Sequence, residues 1–145
     1  MGSEMCIRDS MLIFDSPSRE KCVIQRQRTN TPLQALVTLN DPQFLEAARA
    51  FAERLLKSDK SDTAGRIDLA YRFATARLAT GREVKILTQL YQNNLARFQS
   101  SPETAKEFLK VGESPRDESL DSSEHAAWMV VAQTIMNLDE SLTRN

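Results

Sequence analysis

In PQFLEAARAFAERLL, residues 42–56, the apolar residues Phe44, Ala48, Phe51 and Leu55 follow one another at intervals of four, three and four. That spacing lays them in one stripe along an α-helix. Ile67, Ala70, Tyr71, Ala74 and Leu78 form a second stripe, and Val84, Leu87, Tyr91, Leu95 and Phe98 a third. Near the end, Trp128, Val131, Ile135, Leu138 and Leu142 step by three, four, three and four, the heptad interval. A chain with four glycines and no run of alternating apolar and polar residues offers nothing from which to build hairpins. The expectation is an all-α fold, a small bundle of about five to six helices with an irregular N-terminal segment.

The helix ends are written as well. Thr31 precedes Pro32, Asp41 precedes Pro42 and Ser101 precedes Pro102. At each, a side-chain oxygen can accept an orphan amide, while proline, lacking an N–H, loses nothing at the first helical position. The spacing predicts helices from Pro32 to Leu39, Pro42 to about Lys57, Gly65 to Leu78 and Arg82 to Phe98. Two more follow, a short one from Pro102 that Gly112 ends and a last one starting at Ser122 or Ser123. Thr80-Gly81 reads as the turn of an antiparallel helix pair, and the polar stretch to Asp121 as a mobile loop. Glu46, Arg49, Glu53 and Arg54 fall opposite the apolar stripe of their helix, where they read as solvated pairs. The heptad is too short for a self-sufficient coiled coil, so the last helix is expected to join the bundle.

The first ten residues, MGSEMCIRDS, stand apart. Glu4, Arg8 and Asp9 rule out the apolar core of a secretory leader. With a GTG start the decapeptide back-translates into a string that resembles the transposon-adapter end used in sequencing libraries. Residues 1–10 are therefore set aside as adapter-derived, which leaves 11–31 as the irregular segment and 32–145 as a helical domain, the C-terminal fragment of a longer protein. Without one base (Arg8) and two acids (Glu4, Asp9), the 19 bases and 20 acids of the chain become eighteen of each. No global field then favours nucleic acid as a partner. No apolar run approaches the roughly 20 residues that cross a bilayer. Charge is uneven along the chain, four bases against two acids in residues 11–40 and two against seven in residues 113–145. The two ends are expected to meet.

Chemistry concentrates in RQRTNTPLQALVTLNDP. Arg26, Arg28, Thr29, Asn30, Gln34, Asn40 and Asp41 place hydrogen-bonding side chains around two helix N-termini, whose free amides and partial positive charge suit an anion. The competing reading, preferred here, is that they cap the helix breaks and bind the acidic end of the same chain. No nucleophile has a base beside it. His125, at a predicted helix start, reads as solvated or capping, and Cys22, between Lys21 and Val23, as a small buried hydrophobe. One native thiol and one imidazole make no closed metal site, and no P-loop, dinucleotide fingerprint or CxxCH haem attachment occurs. Whether the chain is an enzyme stays open.

Three stretches together resemble a known family: FDSPSREKCVIQRQRTNTPLQALVTLNDPQFLEAARAFAERLL, RIDLAYRFATARLATGRE and AAWMVVAQTIMNLDESLTRN. They resemble the C-terminal portion of the domain-of-unknown-function family fifteen-fifty-three, expanded in planctomycetes. RQRTNTPLQAL followed by LNDP is specific to that family, and Ser141 stands where an aromatic residue is commoner. The resemblance implies a long, exported or periplasmic protein with a companion domain upstream, often beside a cytochrome-c-like domain, and genes near those for sulfatases and polysaccharide breakdown. It implies the upstream domains of the same protein as partners, no cofactor in this fragment, and any haem c in the missing upstream region. It carries over no catalytic residues. Two functions follow as expectations: a helical structural or interaction module, or, as the alternative, part of an enzyme site acting on an anionic, sulfated polysaccharide.

Overall fold

The computed structural model of the chain describes residues 32–59 and 62–142, with side chains from Leu36 onward. The irregular segment expected over 11–31 and Cys22 within it lie outside the described residues. Seven helices follow one another, and no strand occurs among the described residues: α1 Pro32–Asn40, α2 Pro42–Leu56, α3 Thr63–Thr75, α4 Gly81–Ser100, α5 Pro102–Leu109, α6 Ser122–Met136 and α7 Asp139–Leu142. The fold is an all-α bundle. Among the described residues the run expected as one last helix is divided in two, because the heptad run breaks at Asn137, whose backbone leaves the α region at φ −92° and ψ 5°. No described helix is long and apolar enough to cross a membrane.

The starts follow the capping chemistry. Asp41 alone separates α1 from α2; its backbone is extended and its carboxylate accepts the Gln43 amide at 2.8 Å. Thr80 and Glu83 form a capping box at α4, each side chain taking the other's backbone amide. Asp121 caps α6 through the Glu124 amide, also at 2.8 Å.

One end differs from the expectation. α3 stops at Thr75, not Leu78, because Ala76 turns left-handed at φ 58°. That turn delivers Arg77 to Glu83, which it meets with two hydrogen bonds of 2.9 and 2.7 Å, and to Glu140 on α7 at 2.7 Å. Leu78, expected inside, is left 53% exposed. An alanine in place of the usual glycine gave the sequence no stop signal there.

α6 is the centre of the bundle. It touches α2, α3, α4, α5 and α7, and nine of its fifteen residues are buried. Trp128, Val131 and Ile135 of the heptad are fully buried, but so are Ala126, Ala127, Met129 and Ala132 on the other faces. Small alanines let neighbouring helices approach on those sides, so a helix that reads as two-faced by its heptad is enclosed all round. The Trp128 ring lies 5.0 Å from that of Tyr91 on α4, and Ser123 donates a hydrogen bond to Phe98 O of the same helix at 3.3 Å. α2 supplies Ala48, Ala52 and Leu55 to this core and α3 supplies Ile67, Ala70 and Tyr71.

Candidate functional site

The residues singled out for anion binding divide sharply. Arg26, Arg28, Thr29 and Asn30 lie outside the described residues. Gln34 is on the first half of α1, with its side chain outside them as well. Asn40 and Asp41 are described, and both are engaged locally: Asn40 Nδ2 donates to Leu36 O at 2.8 Å, and Asp41 caps α2. α1 is tied to the C-terminal helices by neutral groups. Thr38 Oγ1 donates to Asn137 Oδ1 at 2.6 Å, and Gln133 Nε2 donates to Leu39 O at 2.8 Å. The two ends of the described chain therefore do meet, through amides and a hydroxyl in the contacts seen here.

That junction forms one end of a groove of about 450 Å³ between α1, α2, α3, α6 and α7. Its walls are mostly apolar, with Phe44 and Phe51 from α2, Phe73 from α3, Met136 from α6 and Leu142 from α7. Phe73 stands at the rim, 48% exposed, its ring edge-on to Phe51 at 6.3 Å and covered on one side by the Arg54 guanidinium at 4.4 Å. A second depression, of about 500 Å³, opens beyond the same residue, between Leu69, Glu53 and Lys57. Phe73 is thus a ridge between two hollows. A half-exposed aromatic ring with a cation laid over it is a contact feature. No group of three metal-ligating side chains occurs among the described residues.

A second constellation lies inside. Arg49, assigned by pattern to the solvated face of α2, is 4% exposed. Its guanidinium donates to Leu109 O, at the end of α5, at 3.0 Å, and to Ser114 O at 2.6 Å. One turn earlier, Glu46 accepts the amides of Glu113 and Ser114, both at 3.0 Å. The hydroxyl of Ser114 and these two amides hold the Glu46 carboxyl below the usual range for a glutamate. The α5–α6 connection, residues 110–121, expected to be a mobile loop, is instead fastened at these points. Lys57 adds an ion pair to Asp117 at 2.7 Å, and Arg116 donates to Ser122 Oγ at 2.8 Å. Gly112, at φ +100°, lets the backbone pass where a Cβ would sit 2.5 Å from Glu46 Oε2.

His125 belongs to the same interior. It is fully buried, against the expectation of a solvated or capping residue, with Nε2 3.2 Å from Arg49 O. Burial pushes the imidazole below its ordinary range. Sequence reasoning missed Arg49, His125 and Phe73. One signal was available for the first two: Ala126 to Ala132 is a run of seven apolar residues, which marks a helix enclosed on every side and so places its neighbours' polar groups inside too.

A family model described as PSD1, protein of unknown function (DUF1553), matches residues 3–91. The match begins within the decapeptide set aside above, runs through α1, α2 and α3 and ends midway along α4. No curated protein and no solved structure matches the chain.

Proposed function

The chain belongs to the DUF1553 family of proteins of unknown function, and on that premise we propose that it serves as the C-terminal structural and interaction module of an exported, haem-associated bacterial protein. Its groove beside Phe73 receives the polypeptide that precedes it in that protein. The observation that carries this reading is the half-exposed Phe73 ridge between two hollows. α1 says where the occupant comes from. It forms one wall through Thr38, it is the first described helix, and it exposes Leu36 and Leu39 by 56% and 41%. The upstream chain joins the described part at α1, and apolar side chains left uncovered on that helix mark a contact surface.

Export and the link to haem come from the sequence resemblance. The residues of this chain do not fit a covalently attached haem, since no CxxCH run occurs in it. Any such group belongs to the upstream region. The alternative, an enzyme site for an anionic, sulfated glycan built on Arg26, Arg28, Asn30 and Asn40, ranks second because Asn40 already bonds Leu36 O and its neighbour Asp41 caps α2.

The test is binding in trans, by calorimetry, between this chain and the separately expressed upstream region of its full reading frame. Covering the remaining half of Phe73 is worth roughly 1 kcal/mol by area, and a carboxylate in its place adds a desolvation cost. Phe73→Glu is expected to weaken binding at least tenfold, while Ile86→Glu, 55% exposed on α4, leaves it unchanged. Absence of binding, or equal loss in both variants, overturns the reading.

A further inference from the structure

His125 Nε2 faces a carbonyl, which can only accept, so the neutral ring carries its proton there and Nδ1 is left with a bare lone pair. Nδ1 is buried and has no hydrogen-bond partner among the described residues. A second proton would sit on that nitrogen out of reach of bulk solvent and with no protein acceptor beside it among the described residues. The charged groups acting on the ring add to the difficulty. Arg49 of α2 and Arg116 of the α5–α6 connection repel a cation there, while the Arg49 carbonyl and Glu53 of α2 favour one. Arg66 of α3 is held by Glu124, the residue preceding His125, and Lys106 of α5 by Glu103.

Arg49 joins this ring to the connection. Its carbonyl takes the His125 proton, while its guanidinium holds Leu109 O and Ser114 O, so both attachments converge on one residue of α2. We infer that His125 is an acid-sensitive catch, whose protonation releases the α5–α6 connection, residues 110–121, from α2. Hydrating Nδ1 requires the first turns of α6 to part from α2 at Arg49, and the connection, which runs through Asp121 directly into α6, is drawn with them away from the guanidinium. The folded ring takes up a proton less readily than a free imidazole, near 6.5. Stability is therefore intact above that pH and falls as the pH drops below it. Glu46, held below the ordinary glutamate range, does not need to titrate for this to happen, and its bonds to the Glu113 and Ser114 amides are broken by the movement rather than by its own protonation.

Amide hydrogen exchange of residues 110–121 between pH 7.5 and 4.5, corrected for intrinsic rates, tests this on the whole chain, with α4 as internal reference. Protection of the connection is expected to fall at least tenfold between pH 7 and 5 while α4 keeps its own. His125→Gln, whose amide can still donate to Arg49 O but does not titrate, is expected to give a flat profile. A wild-type profile that stays flat, or a variant that falls like the wild type, overturns the inference. Should His125→Gln fail to fold, proton NMR of the wild-type imidazole decides. A ring that titrates together with amide release supports the catch, and one that titrates near 6.5 with protection unchanged refutes it.

Discussion

Replacing Arg49 by Met asks how much a buried cation contributes when its partners are carbonyls. The stem is similar in length and keeps the space filled, while the guanidinium's bonds to Leu109 O and Ser114 O vanish. Hydrogen bonds to charged groups are worth about 1.5–3 kcal/mol each. Ser114 is exposed, so its carbonyl finds water; Leu109 is fully buried at the end of α5, and its carbonyl is left without its guanidinium partner. Against these losses stands the relief of no longer burying a charge, with Glu46 at 3.8 Å its nearest counter-ion. The net expectation is a loss of about 2–3 kcal/mol. Arg54→Met, which removes only the exposed cation over Phe73, should cost less than about 1 kcal/mol. Urea unfolding followed by circular dichroism reads both. With slopes of roughly 2 kcal/mol per molar, Arg49→Met should lower the midpoint by about 1–1.5 M. A shift within that of Arg54→Met would refute the claim that Arg49 binds the α5–α6 connection to α2.

Gly112→Ala puts a Cβ 2.5 Å from the Glu46 carboxylate at φ +100°, and thermal unfolding should show a loss above about 1 kcal/mol. Ala76→Gly relieves a left-handed alanine at φ 58° and should stabilise by roughly 0.5–1 kcal/mol in the same assay. Glu83 is held down to about 2, first by the Arg77 guanidinium and then by the Thr80 amide. Its contribution is present above the unfolded value near 4.3 and fades as the pH falls toward 2. A carbon-detected NMR titration should place Glu83 there, and Glu83→Gln should flatten this part of the acid limb.

The helices were legible because their ends are local chemistry. Asp41-Pro42 and Thr80 with Glu83 each state a start within four residues, and the stripes at Phe44, Ile67 and Val84 needed only the period of the helix. What escaped was set by neighbours distant in sequence. An arginine opposite an apolar stripe reads as solvated until α5 and residues 110–121 are known to lie over it. Arg49 meets partners sixty and sixty-five positions away. His125 was misread for the same reason, its partner being seventy-six positions off. For the candidate anion site, the cap roles of Asn40 and Asp41 were legible from sequence spacing, while Arg26, Arg28 and Asn30 lie outside the described residues. The Phe73 ridge was out of reach, because helical periodicity places a residue on a face without saying whether another helix covers it.

The account rests on α6 as the enclosed axis of the bundle, and Trp128, the single tryptophan of the chain, reports on it directly. Iodide, which is charged and stays in water, is the quencher to use. Trp128 fluorescence in the native chain is expected to be blue-shifted and almost untouched by iodide, becoming fully quenchable only in denaturant. Emission like that of free tryptophan, with equal quenching in the native and unfolded chain, would contradict the central placement of α6.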